Sequence, residues 1–503
     1  MARMIDAASL KGWIRDGQEL AILDAREDGE FGRSHLFWAN PCGVSRMELR
    51  ARAILPRLST RVVCVDGGEG LADRLAAYLE TIGCTDVAVL QGGTPAWAAA
   101  GFVAFSGVNV PSKAFGEWVE HHYETPSVDP EELKAMMDAG TDMVILDSRP
   151  MEEFNRMSIP GAVDVPGGEL VYRIGEVVTR PDTTVVVNCA GRTRSIMGAQ
   201  SLRSAGIPNK VVALRNGTMG WELAGFTCDR GKTASFPQGT PKGAAEALAR
   251  ADAFAKRHGV VFGTRADLAR WQADARRSTY VLDVRDPAEY AAGHMPGSRS
   301  APGGQLVQAT DQWVAVRHAR IVLVDDTGTR ARMTGGWLRQ LGGWDVMVLT
   351  DGLAGTLATG PWQPASPEAD AVKPPSLTPE ELAAEIVKGG VRVIDLARSI
   401  DFRDEHIPGA LWGIRTRLDK LCGALAGARL VAIAAPDAAL ARLAAPEAAA
   451  VTGLPVYVVE GGTKAWRAAG LPMEADRRIP ADVDCADFYL RPVLRALRRA
   501  LRA

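Results

Sequence analysis

One pattern occurs four times along this 503-residue chain and limits what the chain can fold into. In each copy an apolar segment with strand character ends in Asp, a variable residue and Arg, and a second apolar segment follows it. The interval from that Asp to the end of the second segment is 42 residues in three copies and 40 in the fourth. Four unrelated segments would not share so similar an interval by chance, so the chain consists of four homologous repeats. Their Asp-x-Arg segments occupy residues 22–26, 145–149 and 281–285, with a looser copy at 393–398.

Each repeat alternates apolar strand-like segments with helical patterns. Strands that are separated by helices form right-handed crossovers and a parallel sheet that is covered by helices. The sequence therefore predicts an α/β fold of four tandem domains, each a small parallel sheet with helices on both faces. The expected domains are residues 1–105, 125–230, 260–362 and 376–475, followed by a C-terminal tail at 476–503. Linkers are expected at 106–128, at 229–262 with a connecting helix over 243–259, and at the proline-rich 360–378.

The composition excludes several classes of protein. A formal net charge of −2 disfavours a nucleic-acid surface or a polybasic membrane surface, so neither partner is expected. The basic cluster at 491–502 is interpreted as a solvated helix face. No segment reaches the roughly 18 apolar residues of a membrane span, and the N-terminal segment lacks the apolar core of a signal peptide. The seven cysteines form no CxxC pair and no metal-binding spacing, which predicts reduced thiols in a cytoplasmic protein without a metal or other cofactor.

The second repeat carries the strongest chemical signal. Its apolar segment VVVN ends on Cys189, and the loop that follows leads into a helical pattern. Such a loop lies at the C-terminal end of a strand, where α/β sheets bind ligands. The loop N–H groups and the helix dipole are expected to converge there on an anion. The residues of this expected cradle are Ala190, Gly191, Arg192, Thr193, Arg194 and Ser195.

Four residues of this loop have individual expected roles. Gly191 permits the backbone angles of a tight cradle, and Ser195 is expected to cap the helix. Arg192 and Arg194 supply positive charge for an anionic substrate. Together the loop should favour the thiolate form of Cys189, which is the nucleophilic form of a cysteine.

In this order and spacing, the motifs resemble the rhodanese superfamily. The carrying residues are the Asp-x-Arg strand end, the cysteine loop, the turns SIPGA, HMPGS and HIPGA, and closing segments such as QGGTPAW and EGGTKAW. The resemblance implies that the cysteine takes up sulfane sulfur as a persulfide and passes it to a thiophilic acceptor. It also implies that repeats without this cysteine are catalytically silent. Only the second repeat has it, because the equivalent residues are Asp66, Asp325 and Ala435.

The resemblance therefore predicts a four-domain sulfurtransferase in which Cys189 carries the sulfur and reacts in two steps. Related loops that resemble CRKGVT are associated with thiosulfate, and those that resemble CGSGVT with 3-mercaptopyruvate; CAGRTRS matches neither. Its two arginines favour a doubly charged donor, so thiosulfate is the predicted small anionic donor, with cyanide or a thiol as acceptor. Persulfides of glutathione or of another protein stay open as donors, and so does a homo-oligomer.

Two other functions remain open. Phosphatases and arsenate reductases place an arginine at the end of a Cys-x5-Arg loop, but Arg194 comes one residue too early for that pattern. Alternatively, the three repeats without the cysteine could make the chain a non-catalytic scaffold for partner proteins. Structural roles are favoured for Asp147 and Arg149 as an ion pair, with Glu153 able to fix an arginine near the pocket. Core or packing positions are expected for Trp97, Trp221 and Trp466 and for Cys42, Cys64, Cys84, Cys228, Cys422 and Cys485.

Overall fold

The computed structural model describes residues 2–237 and 239–489. The described residues form two compact units, one drawn from residues 2–16, 21–108 and 364–489, the other from residues 17–20, 109–237 and 239–363. The basic cluster predicted at 491–502 lies outside the described residues. None of the described helices combines the length and apolar character needed to cross a bilayer. The four parallel sheets are described below as domains 1 to 4, and they confirm the predicted repeated α/β fold.

Domain 1 belongs to the first unit. Its strands are β1 Arg3–Ile5, β2 Leu20–Asp24, β3 Ala39–Pro41, β4 Arg61–Val65 and β5 Asp86–Leu90. Parallel pairing gives the order β1-β5-β4-β2-β3. The helices are α1 Ala7–Arg15, α2 Asp28–Phe31, α3 Met47–Ile54, α4 Leu71–Thr81 and α5 Gly93–Ala99, with a 310 turn at Val44–Arg46.

Domain 2 belongs to the second unit and holds the cysteine loop. Its strands are β6 Ser127–Val128, β7 Met143–Asp147, β8 Val163–Asp164, β9 Thr184–Asn188 and β10 Val211–Leu214, in the parallel order β6-β10-β9-β7-β8. The helices are α6 Val110–Tyr123, α7 Pro130–Asp138, α8 Met151–Arg156, α9 Leu170–Val177, α10 Thr193–Ser204 and α11 Gly217–Leu223. The sheet places β9 between two neighbours, and its Val185, Val186 and Val187 are fully buried. A continuous apolar run is what such an inner parallel strand requires.

Domain 3 shares the second unit with domain 2. Its strands are β11 Val261–Gly263, β12 Thr279–Asp283, β13 Arg299–Ser300, β14 Val316–Arg317, β15 Arg320–Val324 and β16 Asp345–Leu349. The domain sheet has the order β11-β16-β15-β12-β13. The helices are α12 Ala244–Arg257, α13 Arg265–Ala273, α14 Pro287–Ala292, α15 Gly303–Gln308 and α16 Thr329–Gly342, with a 310 turn at Thr310–Gln312.

Domain 4 lies in the first unit. Its strands are β17 Ser376–Leu377, β18 Val391–Asp395, β19 Leu411–Trp412, β20 Leu430–Ala434 and β21 Val456–Val459, in the order β17-β21-β20-β18-β19. The helices are α17 Pro367–Ala371, α18 Pro379–Lys388, α19 Ser399–Asp404, α20 Ala438–Thr452 and α21 Gly462–Ala468, with a 310 segment at Arg415–Leu421. The strand order therefore repeats that of domains 2 and 3.

The segments predicted as linkers contain helices. A connecting helix is found at Ala244–Arg257, as expected from 243–259. The segment 106–128, which was expected to be a linker, contains the 14-residue helix α6 at Val110–Tyr123. Pro111 in its first turn suits a helix start, since proline presets the helical φ and needs no N–H there. The proline-rich segment 360–378 includes the short helix Pro367–Ala371.

Domains 2 and 3 pack closely within their unit. A Cβ added to Gly336 of α16 would lie 2.4 Å from the Phe254 ring of α12, so the two helices touch through a glycine. The indole N–H of Trp337 donates a 2.8 Å hydrogen bond to the hydroxyl of Ser201 on α10. The loop before α9 also meets the first turn of α15, because a Cβ on Gly168 would lie 2.8 Å from the backbone nitrogen of Gly304.

Candidate active site

Cys189 follows directly on β9, and its side chain faces the start of α10. The residue is 2% exposed. Its Sγ atom accepts a hydrogen bond from the N–H of Gly191 at 3.3 Å and another from the hydroxyl of Ser195 at 3.1 Å. The sulfur is thus buried but held by two polar donors, a setting that suits a negatively charged sulfur.

The loop after Cys189 is braced from below by the start of α11. The N–H of Thr218 donates to the carbonyl of Cys189 at 2.9 Å, and the N–H of Met219 donates to the carbonyl of Ala190 at 3.1 Å. The backbone comes so close at Gly217 that an added Cβ would lie 2.1 Å from the Cys189 oxygen, and its φ is +54°. The Gly-rich segment that closes each repeat therefore has a specific task in domain 2, which is to fix the strand end that carries the cysteine.

Ser195 has a different role from the one predicted. The expectation that it caps the helix is wrong, because α10 begins at Thr193 and Arg192 occupies the cap position without a side-chain cap. Ser195 instead lies inside the first turn, fully buried, where its hydroxyl reaches the sulfur. Thr193 packs against α6, since its Cγ2 lies 2.6 Å from the position of a Cβ on Gly116.

Arg194 interacts electrostatically with the Cys189 thiolate and is held by one carboxylate of its own domain. Its guanidinium donates to both oxygens of Glu153, at 2.8 and 2.7 Å, which fulfils the role foreseen for that glutamate. Burial opposes the charge, but Glu153 and then the Cys189 thiolate raise the pKa of the Arg194 guanidinium above its ordinary value. Its side chain is 15% exposed, so the charge is weakly screened by water.

Arg192 is turned in another direction. Its guanidinium pairs with Glu120 and, at 3.1 Å, with Glu117, and both glutamates lie on α6. The side chain is 44% exposed. Both arginines were expected to supply charge for an anionic substrate. In the structure Arg192 is the more exposed of the two and pairs with α6, whereas Arg194 is the more buried and pairs with Glu153. The glutamates of α6 were missed because α6 was taken for a linker; their spacing of three residues on a helical pattern was the available signal.

A buried ion pair supports the strand ends from within. Arg149 donates to both oxygens of Asp147, at 2.8 and 2.7 Å, and Asn188 donates to the same carboxylate at 2.9 Å. Burial opposes the charge of Arg149, while Asp147 and more weakly Cys189 raise its pKa. The same bidentate pair occurs between Asp24 and Arg26 and between Asp283 and Arg285. Because domains without the cysteine also have it, the pair is structural, as the sequence indicated.

Comparison with known proteins identifies the family. The profile described as "Rhodanese-like domain" matches residues 6–100, 129–224 and 264–359. The chain belongs to the rhodanese family. A crystal structure described as a thiosulfate sulfurtransferase from Pseudomonas aeruginosa is 43% identical to it, with a TM-score of 0.89 over 99% of this chain and 96% of that one.

Two curated relatives of these rhodanese domains are similar over a shorter length. An HTH-type transcriptional regulator of Mycobacterium tuberculosis is 34% identical over 101 residues, which are 20% of this chain and 43% of the regulator. The Bacillus subtilis protein YrkF is 29% identical over 102 residues, 20% of this chain and 54% of that protein. The matched region thus spans about half the length of these two relatives.

The other rhodanese domains place acidic residues at the same loop. In domain 1 the carboxylate of Asp66 accepts from the N–H of Gly68 at 2.8 Å and from that of Ala72 at 3.0 Å. In domain 3 the carboxylate of Asp325 accepts from the N–H of Ala331 at 3.1 Å. These N–H donors lie two and six residues after Asp66 and six residues after Asp325. In domain 2 the corresponding donors are the N–H of Gly191 and the hydroxyl of Ser195. The loop therefore places a carboxyl side chain at this position in domains 1 and 3, and burial raises the pKa of the one in domain 3, Asp325, to about 7.

Domain 4 has a shorter loop between the corresponding strand and helix, β20 and α20. Ala435 follows directly on β20 and is buried, and Asp437 caps α20 by accepting from the N–H of Ala439 at 2.7 Å. A carboxylate again meets the helix start, although it comes two residues later in the chain.

The remaining cysteines and the tryptophans match their expected structural roles with one exception. Trp97, Trp221 and Trp466 are buried, and their indole N–H groups donate to the carbonyls of Val103, Thr227 and Pro472. Five of the six other cysteines are buried, namely Cys42, Cys64, Cys84, Cys228 and Cys485. The prediction of a buried Cys422 is wrong, because this residue is exposed after the 310 segment of domain 4.

Proposed function

We propose that this chain is a sulfurtransferase in which Cys189 takes up sulfane sulfur as a persulfide and passes it to cyanide or a thiol. One observation carries the proposal: the sulfur of Cys189 accepts hydrogen bonds from Gly191 and Ser195 at the start of α10. Those donors favour a negative charge on sulfur, and both the attacking thiolate and the persulfide carry one.

The acids of the silent domains support this reading of the loop. Asp66 and Asp325 are ionisable groups at the position of Cys189, and each accepts hydrogen bonds from the same stretch of backbone. A loop that receives a carboxylate in two homologous domains is suited to an anion by its backbone, whatever side chain supplies the charge.

With thiosulfate as the donor, the chemistry has two balanced steps. The Cys189 thiolate attacks the outer sulfur, a new S–S bond forms, and the S–S bond of thiosulfate breaks with its electron pair leaving on sulfite. Cyanide or a thiolate then attacks the outer sulfur of the persulfide, which returns Cys189 as a thiolate. The acceptor leaves as thiocyanate or as a new persulfide.

Of the two loop arginines, Arg194 supports an anionic donor, because its guanidinium interacts electrostatically with the Cys189 thiolate. Arg192 contributes less to this argument than its sequence position suggested, since Glu117 and Glu120 already face its charge. The name of the Pseudomonas aeruginosa relative also favours thiosulfate as the donor. All seven cysteines are free thiols, which agrees with the proposed cytoplasmic location.

Mass spectrometry of the intact protein tests the proposal. After incubation with thiosulfate the chain is expected to gain the mass of one sulfur atom and to lose it on addition of cyanide, with release of thiocyanate. Cys189→Ser should abolish the gain. Cys422→Ser is the matched control, because Cys422 is the exposed thiol, and it should leave the gain intact.

Two results would reject the proposal. An unchanged mass for the wild-type chain, together with hydrolysis of p-nitrophenyl phosphate, would favour phosphatase chemistry at the same cysteine. Sulfur uptake that persists in Cys189→Ser would remove Cys189 as the carrier.

A further inference from the structure

Domains 2 and 3 align without a gap around the site. From Asp147 to Ser201 every residue has its counterpart 136 positions later in the chain, which pairs Arg194 with Arg330. The same offset pairs Glu153 with Glu289 and Glu169 with Gln305. The two arginines therefore occupy equivalent places in a catalytic and a silent domain, and their surroundings can be compared atom by atom.

Arg330 is surrounded by carboxylates. Its guanidinium is fully buried and lies within ion-pair distance of four acids, three in its own domain and one from domain 2. Burial opposes this charge, but the acids raise the pKa of Arg330 far above its ordinary value. The partners are Asp325 at 3.1 Å, Asp326 at 2.7 Å, Glu289 at 2.5 Å and, from domain 2, Glu169 at 2.9 Å.

Arg194 keeps only one of these four carboxylates. Glu153 is retained, while the counterparts of the other three acids are Cys189, Ala190 and Gln305. Gln305 comes from domain 3, and its Oε1 atom lies 3.5 Å from a terminal nitrogen of Arg194. It thus approaches Arg194 across the domain boundary as Glu169 approaches Arg330, but without a charge.

We propose that Gln305 is a positioning residue of the Cys189 site, contributed by the silent domain 3. Its neutral amide orients Arg194 without neutralising it, so that the arginine charge is left for the anion at Cys189, whether thiolate, persulfide or bound donor. A carboxylate at this place would compete with that anion for the same guanidinium. The inference rests on the proposed function for the identity of the anion.

Two arginine–carboxylate pairs lie near Cys189 and form the background against which the effect of one added charge is measured. Arg149 and Arg194 interact with the thiolate from β7 and α10, and Asp147 and Glu153 are the acids that pair with them. The polar contacts to the sulfur itself come from Gly191 and Ser195. Gln305→Glu would add a third acid to this set.

The test is the pH dependence of alkylation of Cys189 by iodoacetamide in the full chain, followed by mass spectrometry of the Cys189 peptide. In Gln305→Glu the pH of half-maximal alkylation rate is expected to rise by about one unit. The reason is that the new carboxylate would pair with Arg194, whose positive charge otherwise stabilises the Cys189 thiolate. The kcat/KM for thiosulfate should fall about tenfold in parallel. Gln305→Met, which removes the contact without adding charge, should shift the alkylation profile far less.

Gln272→Glu is the matched control, because it makes the same substitution at an exposed site on α13 of domain 3. It should leave both readouts unchanged. If thermal denaturation shows that Gln305→Glu is unfolded, Gln305→Asp adds the same charge on a shorter side chain and replaces it.

The outcomes separate this inference from the proposed function. A wild-type chain that transfers sulfur, with an alkylation profile that the acidic variants at 305 leave unmoved, overturns the role of Gln305 alone. A shifted profile in a chain that never gains sulfur overturns the proposed function alone. An equal shift in Gln272→Glu also overturns the role of Gln305, since the effect would then be one of net charge.

Discussion

The carboxylate of Asp66 accepts a 2.8 Å hydrogen bond from the backbone N–H of Gly68, two residues further along the loop of domain 1. In domain 2 the sulfur of Cys189 accepts a 3.3 Å hydrogen bond from the backbone N–H of Gly191, which is also two residues further along the chain. A fixed backbone geometry therefore receives either a carboxylate or a sulfur. This equivalence is the physical ground for treating the loop as an anion site, and it makes the following consequences testable.

Gly217→Ala should damage both stability and sulfur transfer. The methyl group would lie 2.1 Å from the carbonyl oxygen of Cys189 at a φ of +54°, so the strand end must move. We expect a loss of about 2 kcal/mol or more in the free energy of unfolding, measured by chemical denaturation. Gly225→Ala is the control, because Gly225 also has a positive φ but no atom within 4 Å of the added Cβ. Equal losses in the two variants would show that steric contact with Cys189 is irrelevant.

Arg194→Ala and Arg192→Ala should differ strongly in kinetics. Arg194 interacts electrostatically with the Cys189 thiolate, so its loss should raise KM for thiosulfate about tenfold or more. Arg192 forms exposed ion pairs with α6, so its loss should change KM by less than about threefold. Steady-state assays of thiocyanate formation measure both. Comparable increases in KM would mean that Arg192 leaves α6 to bind the donor.

Asp325→Cys, made in a Cys189→Ser background, should not create a second working site. The new thiol would lie beside Arg330, which keeps the carboxylates of Asp326, Glu169 and Glu289. Those acids disfavour a thiolate, so thiocyanate formation should stay below about one hundredth of the wild-type rate. Activity near the wild-type level would show that a cysteine in the loop is sufficient without an available arginine charge.

Asp164 gives the chain a pH-dependent stability. It is 2% exposed, and burial, aided by the carboxylate of Asp147, raises the pKa of Asp164 to about 8. The folded state therefore holds this proton where the unfolded state has released it, so this group makes the chain less stable as pH rises from about 4 to about 8. Asp164→Asn should gain stability relative to wild type over that range, by a few kcal/mol at most.

Thermal melts of Asp164→Asn at pH 5 and pH 8 measure this effect as a difference between the two values. Asp138→Asn, at an exposed aspartate of α7, should show the same difference as wild type. A difference for Asp164→Asn that equals that of wild type would mean that Asp164 is ionised in the folded chain.

Local patterns in the sequence determined much of the architecture. The constant interval between Asp147 and Cys189 and its counterparts predicted repeated parallel sheets, because strand, helix and loop lengths are set by short-range preferences. The position of Cys189 at a strand end followed from the same register. The role of Glu153 beside an arginine was foreseen from the same repetition, because each repeat has an acidic residue six positions after the Asp of its Asp-x-Arg segment.

Long-range contacts were beyond such patterns. Arg192 meets Glu120 from a helix 72 residues earlier, and Arg194 meets Gln305 from a domain 111 residues later. Only the packed chain brings these pairs together. The prediction for Ser195 failed for a local reason. A serine hydroxyl suits a helix cap, but in the structure it donates to the buried sulfur of Cys189, six residues earlier.

The close approach of Gly168 to Gly304 couples the evolution of the second and third repeats. A single methyl group on either glycine would lie 2.8 Å from the backbone nitrogen of the other, so neither can be replaced alone without a shift of the backbone. Homologous genes are therefore expected to preserve the two positions as a pair, or to change them together. Under the proposed function, selection on domain 2 would in this way also maintain domain 3.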